Sequence, residues 1–331
     1  GWRSWADIAA AWEAAQGSAT ALKAFKNTEL GETWVEQGET PEWERLLERR
    51  EDYRIGTVPI GAALLCAGVD VQKDRIEVSV WAFGRGKEAW LVEHRVLAGD
   101  TSRDTVWQRL REMIDESWTH ASGVQLRLSR IGLDTGYATQ EAYAFVRKLR
   151  DSRLLPMKGV ARGAALVGLP TAVDLTVGGK KLRRGVRVYS VVGGIAKLEF
   201  YNHLRKTMEV TEDGEILYPA GYIHLPKVDA EFVQQLCSEQ LVTRRDRNGY
   251  PVREWQKIRE RNEALDCYVY ARAAASLAGL DRYEERHWRE LEKPLGVAGP
   301  PEDAQSTKQE ATLSGGFVVS KGPQRGRRLI R

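Results

Sequence analysis

Leu64-Leu65-Cys66-Ala67-Gly68-Val69 is an unbroken apolar run, and Asp70 closes it. Such a run fits a strand covered on both faces, so the acid at its end is delivered to the edge of a sheet. Arg75 to Phe83 follows, with Ile76, Val78 and Val80 alternating with Glu77, Ser79 and Trp81. After the turn glycines Gly84 and Gly86, Glu88 to Leu97 alternates again. Period-two alternation on both sides of a glycine turn predicts an antiparallel hairpin beside the first strand. Asp104 to Ser117 and Thr139 to Arg150 carry apolar residues at helical spacing. Between them Leu126 to Leu133 reads as a strand ending in Asp134-Thr135-Gly136, and a short strand, Leu154 to Lys158, comes next. The order β-β-β-α-β-α-β predicts an α/β fold, a mixed sheet flanked by helices.

Outside this core the pattern changes. Residues 1 to 55 read as a polar helical arm, with helices from Trp5 to Ala15 and Thr20 to Phe25. The stretch Asp174 to Arg187, rich in glycine and basic residues, reads as a loop or flexible hairpin. A strand, Val188 to Val192, a helix, Ile195 to Lys206, and a short strand, Tyr222 to Leu225, follow. Two helices, Asp229 to Thr243 and Asn262 to Leu277, are separated by a basic segment from Arg244 to Arg261. The expected organisation is a connector at 1–55, a domain at 56–282 and a flexible basic tail at 283–331.

Composition narrows the function. Lys+Arg of 50 against Asp+Glu of 46 gives a formal charge of +4, too mild to identify a polyanionic partner, so the distribution of charge matters more than its sum. The three cysteines, Cys66, Cys237 and Cys267, form no C-x-x-C pair, and the five histidines show no H-E-x-x-H spacing, which excludes a disulfide framework and argues against zinc. There is no G-x-S-x-G elbow and no complete phosphate-binding loop, Gly84-Arg85-Gly86-Lys87-Glu88 lacking the leading glycine and the hydroxyl. Without a signal pattern or an apolar run of spanning length, a soluble cytoplasmic protein with no membrane partner is expected.

The chemistry is carried by aspartates. Asp70 and Asp134 stand at the ends of predicted strands, and Asp266 interrupts the apolar helix Ala264-Leu265-Asp266-Cys267-Tyr268-Val269. Ionised carboxylates in such settings are costly unless a cation compensates them. A shared Mg²⁺ or Mn²⁺ would do so, and two such ions roughly 3.5–4 Å apart are suited to phosphodiester hydrolysis. Asp70, Asp134 and Asp266 are therefore the expected catalytic and metal-binding residues. For Asp134 a local turn or capping role is the competing reading, and Glu263 is a possible substitute for one of the three. Asp74, Glu77 and Asp100 read as solvated hairpin residues. Lys180, Lys181, Arg183 and Arg184, with Arg244, Arg245, Arg247, Arg253 and Lys257, are expected to form a phosphate-contacting rim around the carboxylates, interleaved with Tyr250 and Trp255. With no base-reading motif, little sequence preference is expected.

These residues resemble the C-terminal nuclease portion of the large terminase subunits of lambda-type tailed bacteriophages. The likeness rests on Ala67-Gly68-Val69-Asp70-Val71-Gln72 with Asp74-Arg75-Ile76-Glu77-Val78, and on Gly132-Leu133-Asp134-Thr135-Gly136. It continues in Leu241-Val242-Thr243 leading to Arg261-Asn262-Glu263-Ala264-Leu265-Asp266-Cys267, and upstream in Leu22 to Glu32. It runs from about residue 1 to 280. The resemblance implies a ribonuclease-H-like core and an endonuclease that cuts concatemeric double-stranded viral DNA during genome packaging in the host cytoplasm. It matches Asp70, Asp134 and Asp266 to the family's metal-binding acids. The implied partners are the terminase small subunit and the procapsid portal, and residues 1–55 are expected to follow an ATPase domain missing from this chain. Two alternatives share the fold: a transposase- or resolvase-type nuclease, and a non-catalytic DNA-binding and portal-docking module.

Overall fold

The computed structural model describes residues 4–16, 21, 24–30, 40–177, 180–245 and 247–296; the side chains of 27, 175–177, 180–182 and 184 are left out. Helices α1 (Trp5–Ala15) and α2 (Trp43–Glu48) precede the strands β1 (Ala62–Val71), β2 (Arg75–Gly84) and β3 (Ala89–Ala98). Next come α3 (Asp104–Asp115), β4 (Arg130–Asp134), α4 (Thr139–Leu149) and β5 (Leu154–Val160). A long hairpin of β6 (Thr171–Val177) and β7 (Lys180–Val192) leads to α5 (Gly193–Leu204) and β8 (Ile223–His224). The chain then forms α6 (Ala230–Leu236), the hairpin β9 (Glu239–Arg245) and β10 (Pro251–Lys257), and the helices α7 (Glu263–Ala278) and α8 (Glu285–Glu292). None of the helices among the described residues is long and apolar enough to cross a membrane.

The main sheet has the order β8-β3-β2-β1-β4-β5-β7-β6. Its centre, β3-β2-β1-β4-β5, starts as an antiparallel meander and continues in parallel through β4 and β5, which is the ribonuclease-H-like arrangement expected from the sequence. Both faces are covered. Leu64 and Cys66 of β1 pack with Trp81, Phe200 and Tyr268 on one side. Leu65, Ala67, Val69 and Val71 pack with Val78, Trp107, Leu110 and Phe145 on the other. An uninterrupted apolar strand follows from this double burial.

Two parts of the chain depart from the sequence expectation, and the stretch read as a loop or flexible hairpin takes the hairpin form. The helix expected at Asp229 to Thr243 ends at Leu236, and 239–245 is a strand. The basic segment after it turns at Asn248-Gly249, with Gly249 at φ +83°, and returns as β10 in antiparallel register; Asn-Gly is a hairpin turn dipeptide because it accepts positive φ. The stretch 174–187 is mostly strand, extending the sheet edge. Glu285 to Leu295, expected in the tail, packs on the core: Trp288 and Leu295 are buried, and Arg85 forks between Glu285 and Glu292. The rest of the tail, 297–331, and residues 20, 22 and 23 of the Thr20–Phe25 helix lie outside the described residues.

The segment before β1 is fastened to the sheet at β8. Tyr53 Oη donates to the carbonyls of Leu91 and His224, and Arg49 donates to those of Lys206 and Ile223. His224 is 2% exposed, with Nδ1 2.7 Å from Glu51 and Nε2 2.6 Å from Glu88, and its ring stacks on Trp90. Burial would lower its proton affinity, but the two carboxylates outweigh this and raise it. A folded-state value above the unfolded ~6.5 means that the stabilisation is complete below that pH and is lost as pH rises through the folded value. His224→Gln is expected to cost about 2 kcal/mol at pH 6, discounted for the partly exposed glutamates. Urea melts from pH 5.5 to 9 should show the difference from wild type shrinking; a constant difference would refute the charged clamp.

Candidate active site

The site is built on a repeated G-x-D pattern. Gly68 and Gly132 are register partners on the parallel neighbours β1 and β4. Because side chains repeat every second residue, Asp70 and Asp134 leave the sheet on the same face as those glycines. Helix α7 rests directly on them. A Cβ on Gly68 would stand 1.8 Å from the Cys267 carbonyl oxygen, and one on Gly132 would stand 2.5 Å from that of Tyr270. This close seat brings Asp266 and Tyr270, one helical turn apart, to the two strand-borne acids. Tyr270 Oη donates to Asp134 Oδ1 at 2.7 Å.

Each aspartate has a protein partner. Gln72 Nε2 donates to Asp70 Oδ2 at 2.6 Å. Asp134 Oδ1 also accepts from the Gly136 N–H at 3.0 Å, so the local-turn reading is correct as far as it goes. The residue is not the cap of α4, however, because Ala138 holds that position. Asp266 Oδ2 accepts from Asn262 at 2.8 Å, and its Oδ1 is 3.5 Å from Lys197 Nζ, which is itself 2.5 Å from Glu239. Among the described residues no three His, Cys, Asp or Glu side chains converge as a ready-made ligand set.

The electrostatics of the group are strained. Asp70 is 3% exposed, and burial pushes its carboxyl up to about 8, with Asp266, Asp134 and Glu263 adding repulsion against the Gln72 hydrogen bond. Asp266 rises to about 6 through burial and the charges of Glu239 and Asp134, with Lys197 opposing. Asp134 is raised by burial, against hydrogen bonds from Tyr270, Gly136 and Thr135. Lys197, raised by Asp266 and Glu239 despite its burial, is a nearby cation. The three carboxylates repel one another without being converged as a ligand set; hard oxygen donors of this kind suit a Mg²⁺- or Mn²⁺-type ion, which would relieve the repulsion and favour the ionised forms.

Sequence reasoning missed several members. Lys197 lies on α5, Tyr270 reads as core, and Glu239 sits in a segment expected to be helical. Glu77 is the clearest correction: far from solvated, it is 0% exposed. Burial alone would raise its carboxyl, but the nearby His94, a hydrogen bond from Arg75 and the charge of Arg261 hold it at about 2.

The basic residues divide. Lys257 donates to Asn262 at 2.8 Å, which places the base of the β9–β10 hairpin against Asp266. Register pairs Glu239 with Lys257, Leu241 with Trp255, Thr243 with Arg253 and Arg245 with Pro251, so Lys257, Arg253 and Arg245 share one face. Arg244 is 3.1 Å from Glu254 on the other face, and Arg247 is exposed near the turn. The start of β7 is elsewhere. Asp134 pairs with Met157 and Met157 with Tyr189, so Arg183 and the backbone of Lys180, Lys181 and Arg184 run back from the level of the aspartates. At ~3.3 Å per residue this is roughly 17–30 Å. Of the expected rim the structure brings Lys257 to the carboxylates, with Arg253 and Arg245 farther out along the same hairpin face, while the strand direction of β7 carries its basic segment away.

The family described as "Terminase large subunit gpA, endonuclease domain" matches residues 1–288. The large terminase subunit of Escherichia phage lambda is 34% identical over 281 residues, 83% of this chain and 42% of the relative. That of Enterobacteria phage P21 is 31% identical over 318 residues, 95% of this chain and 47% of the relative. The chain spans less than half the length of both. Among solved structures, the large terminase nuclease of thermophilic phage G20c with bound magnesium is 15% identical, with a TM-score of 0.36 over 67% of this chain and 84% of that one. With residues 1–288 matched and two phage relatives above 30% identity, the chain belongs to the terminase large subunit gpA family, to its endonuclease domain.

Proposed function

We propose that the chain is a divalent-metal-dependent endonuclease that hydrolyses double-stranded DNA at the Asp70–Asp134–Asp266 site. The observation that carries this reading is the placement of Asp70, 3% exposed at the end of β1, beside the strand that bears Asp134 and under the helix that bears Asp266, where burial first and the neighbouring carboxylates second raise its proton affinity. An arrangement this unfavourable without a cation marks a functional site more often than a structural one. Asp70, Asp134 and Asp266 would hold Mg²⁺ or Mn²⁺, two ions in our reading, which when bound polarise the phosphodiester and make water a better nucleophile. The chain's own groups orient the acids: Gln72 on Asp70, Tyr270 on Asp134, and Asn262 with Lys197 on Asp266. Lys257, Arg253 and Arg245 line the hairpin face that starts at the site and would guide the DNA backbone. In the full terminase the substrate is concatemeric viral DNA in the host cytoplasm, and the partners are the small subunit and the procapsid portal.

The direct test is cleavage of supercoiled plasmid. Mn²⁺ or Mg²⁺ should support nicking and linearisation, and EDTA should abolish both; cleavage persisting in EDTA would exclude the metal reading. DNA binding should weaken steeply between 50 and 200 mM salt, on the order of ten-fold for each two or so phosphates contacted. Arg253→Ala should flatten that slope, and an unchanged slope would remove the hairpin from the interface.

A further inference from the structure

Helix α7 lies on a floor of two glycines, which explains its closeness but not its position along its own axis. A glycine floor has no side-chain ridges to interlock with, and a slip of one residue moves a helical side chain by 1.5 Å and turns it by roughly 100°. Such a slip would take Asp266 away from Asp70. Tyr268 against Trp81 and Phe200 and Tyr270 on Asp134 hold the middle of the helix; its start, where Asp266 lies, needs a contact of its own.

The candidate is Glu77, which faces Asp70 as its register partner on β2. Three residues at the start of α7 converge on it. Arg261 Nη2 donates to Glu77 Oε1 at 2.7 Å, and Cys267 Sγ donates to the Glu77 carbonyl oxygen at 3.3 Å. Glu263 is tied to it indirectly. Arg75 donates to both Glu77 Oε1, at 2.7 Å, and Glu263, while Arg261 also donates to Glu263 at 3.3 Å. His94 Nε2 lies 3.3 Å from Glu77 Oε2. The carboxylates of this cluster are buried while its arginines reach the surface; buried ion pairs contribute little net stability compared with apolar packing, and their best-attested benefit is the selection of one register over others.

We propose that Glu77 is a positioning residue of the nuclease, which through Arg75 and Arg261 pins the start of α7 so that Asp266 stands against Asp70. The inference rests on the metal-dependent reading above and adds residues that do not themselves touch metal or DNA. Outer-shell groups of this kind typically change metal affinity by about 10–100-fold when removed.

The test is Mn²⁺ titration calorimetry on wild type, Glu77→Gln and Arg261→Met, with plasmid cleavage and DNA binding in EDTA measured alongside. Both variants are expected to bind Mn²⁺ at least about ten-fold more weakly and to lose kcat, while DNA affinity in EDTA stays within about two-fold. Arg261→Lys, which keeps the charge but not the fork, should fall between Arg261→Met and wild type. If Glu77→Gln does not fold, Arg261→Met decides, since the Arg261 side chain is 39% exposed. Wild-type Mn²⁺ affinity in folded Arg261→Met would overturn the proposal, as would weakened DNA binding in EDTA with Mn²⁺ affinity intact, which would make Arg261 a substrate contact. If Asp70→Asn itself leaves Mn²⁺ binding intact, the metal reading fails first and separately.

Discussion

Asp70→Asn is expected to lower metal-dependent cleavage by about a thousand-fold or more while making the metal-free protein more stable. Both effects have one cause. The Asp70 carboxyl, with a folded-state value of about 8 against ~3.9 when unfolded, binds its proton more tightly in the native state. The native state then holds more protons between these values, so stability falls as pH rises from about 4 to about 8. Asparagine keeps the shape and removes the charge, so the variant should equal wild type near pH 4 and exceed it by on the order of a few kcal/mol at pH 8. Metal reverses the ranking: Mn²⁺ at about a hundred times its Kd should stabilise wild type by about 2.7 kcal/mol and the variant by little. Thermal melts at pH 4, 6 and 8, with and without Mn²⁺, read all of this. A variant that is less stable than wild type at pH 8 without metal, or that still cleaves, would remove Asp70 from its assigned role.

The sequence marks the three aspartates as candidates because two of them close apolar strands and the third interrupts an apolar helix. The residues that support them are not marked, for different reasons. Glu77 lies in a strand whose alternation of polar and apolar residues normally reports one wet face. Here the polar face is covered by α7, so Glu77 and Ser79 are both fully buried, and alternation records the difference between an ion-pairing face and an apolar one. Lys197 and Glu239 reach Asp266 from segments about 69 and 27 positions away in the chain, a proximity that no local pattern encodes. The β9 strand reads as helix because Phe232, Val233 and Leu236 set a helical spacing and no glycine or proline between Leu236 and Thr243 marks its end; Asn248-Gly249 is the turn that closes the hairpin. The β6–β7 misreading was of direction: charge content was visible, but only the parallel register of β7 on β5 shows that Lys180 and Arg183 run away from the aspartates.

Gly68→Ala is the substitution expected to damage the fold most, because it acts where the closest helix–sheet contact and the site coincide. The added methyl would stand 1.8 Å from the Cys267 carbonyl oxygen and 2.6 Å from the Ala271 nitrogen, both backbone atoms of α7, so no rotamer change relieves it. The helix must lift by an ångström or more, or β1 must bend, and each breaks contacts with Trp81, Phe200 and Tyr268 on the same face. A cost of about 3 kcal/mol or more is expected, the upper range for overpacking. Because Asp266 and Tyr270 travel with the helix, any protein that still folds should also lose Mn²⁺ affinity and cleavage. Gly132→Ala meets the Tyr270 carbonyl at 2.5 Å and the Met157 sulfur at 2.9 Å. The sulfur can move but the carbonyl, a backbone atom of α7, cannot; because that carbonyl stands 2.5 Å off, against 1.8 Å for the one over Gly68, a smaller loss of about 2 kcal/mol is expected. Gly214→Ala is the control. It too carries a methyl, but nothing lies within 4 Å, and its φ of +81° costs only local strain, on the order of 1 kcal/mol. Urea denaturation of the three variants should rank them Gly68→Ala, Gly132→Ala, Gly214→Ala in decreasing loss. A Gly68→Ala protein within about 1 kcal/mol of wild type would mean that α7 does not sit on the glycines as closely as the site requires.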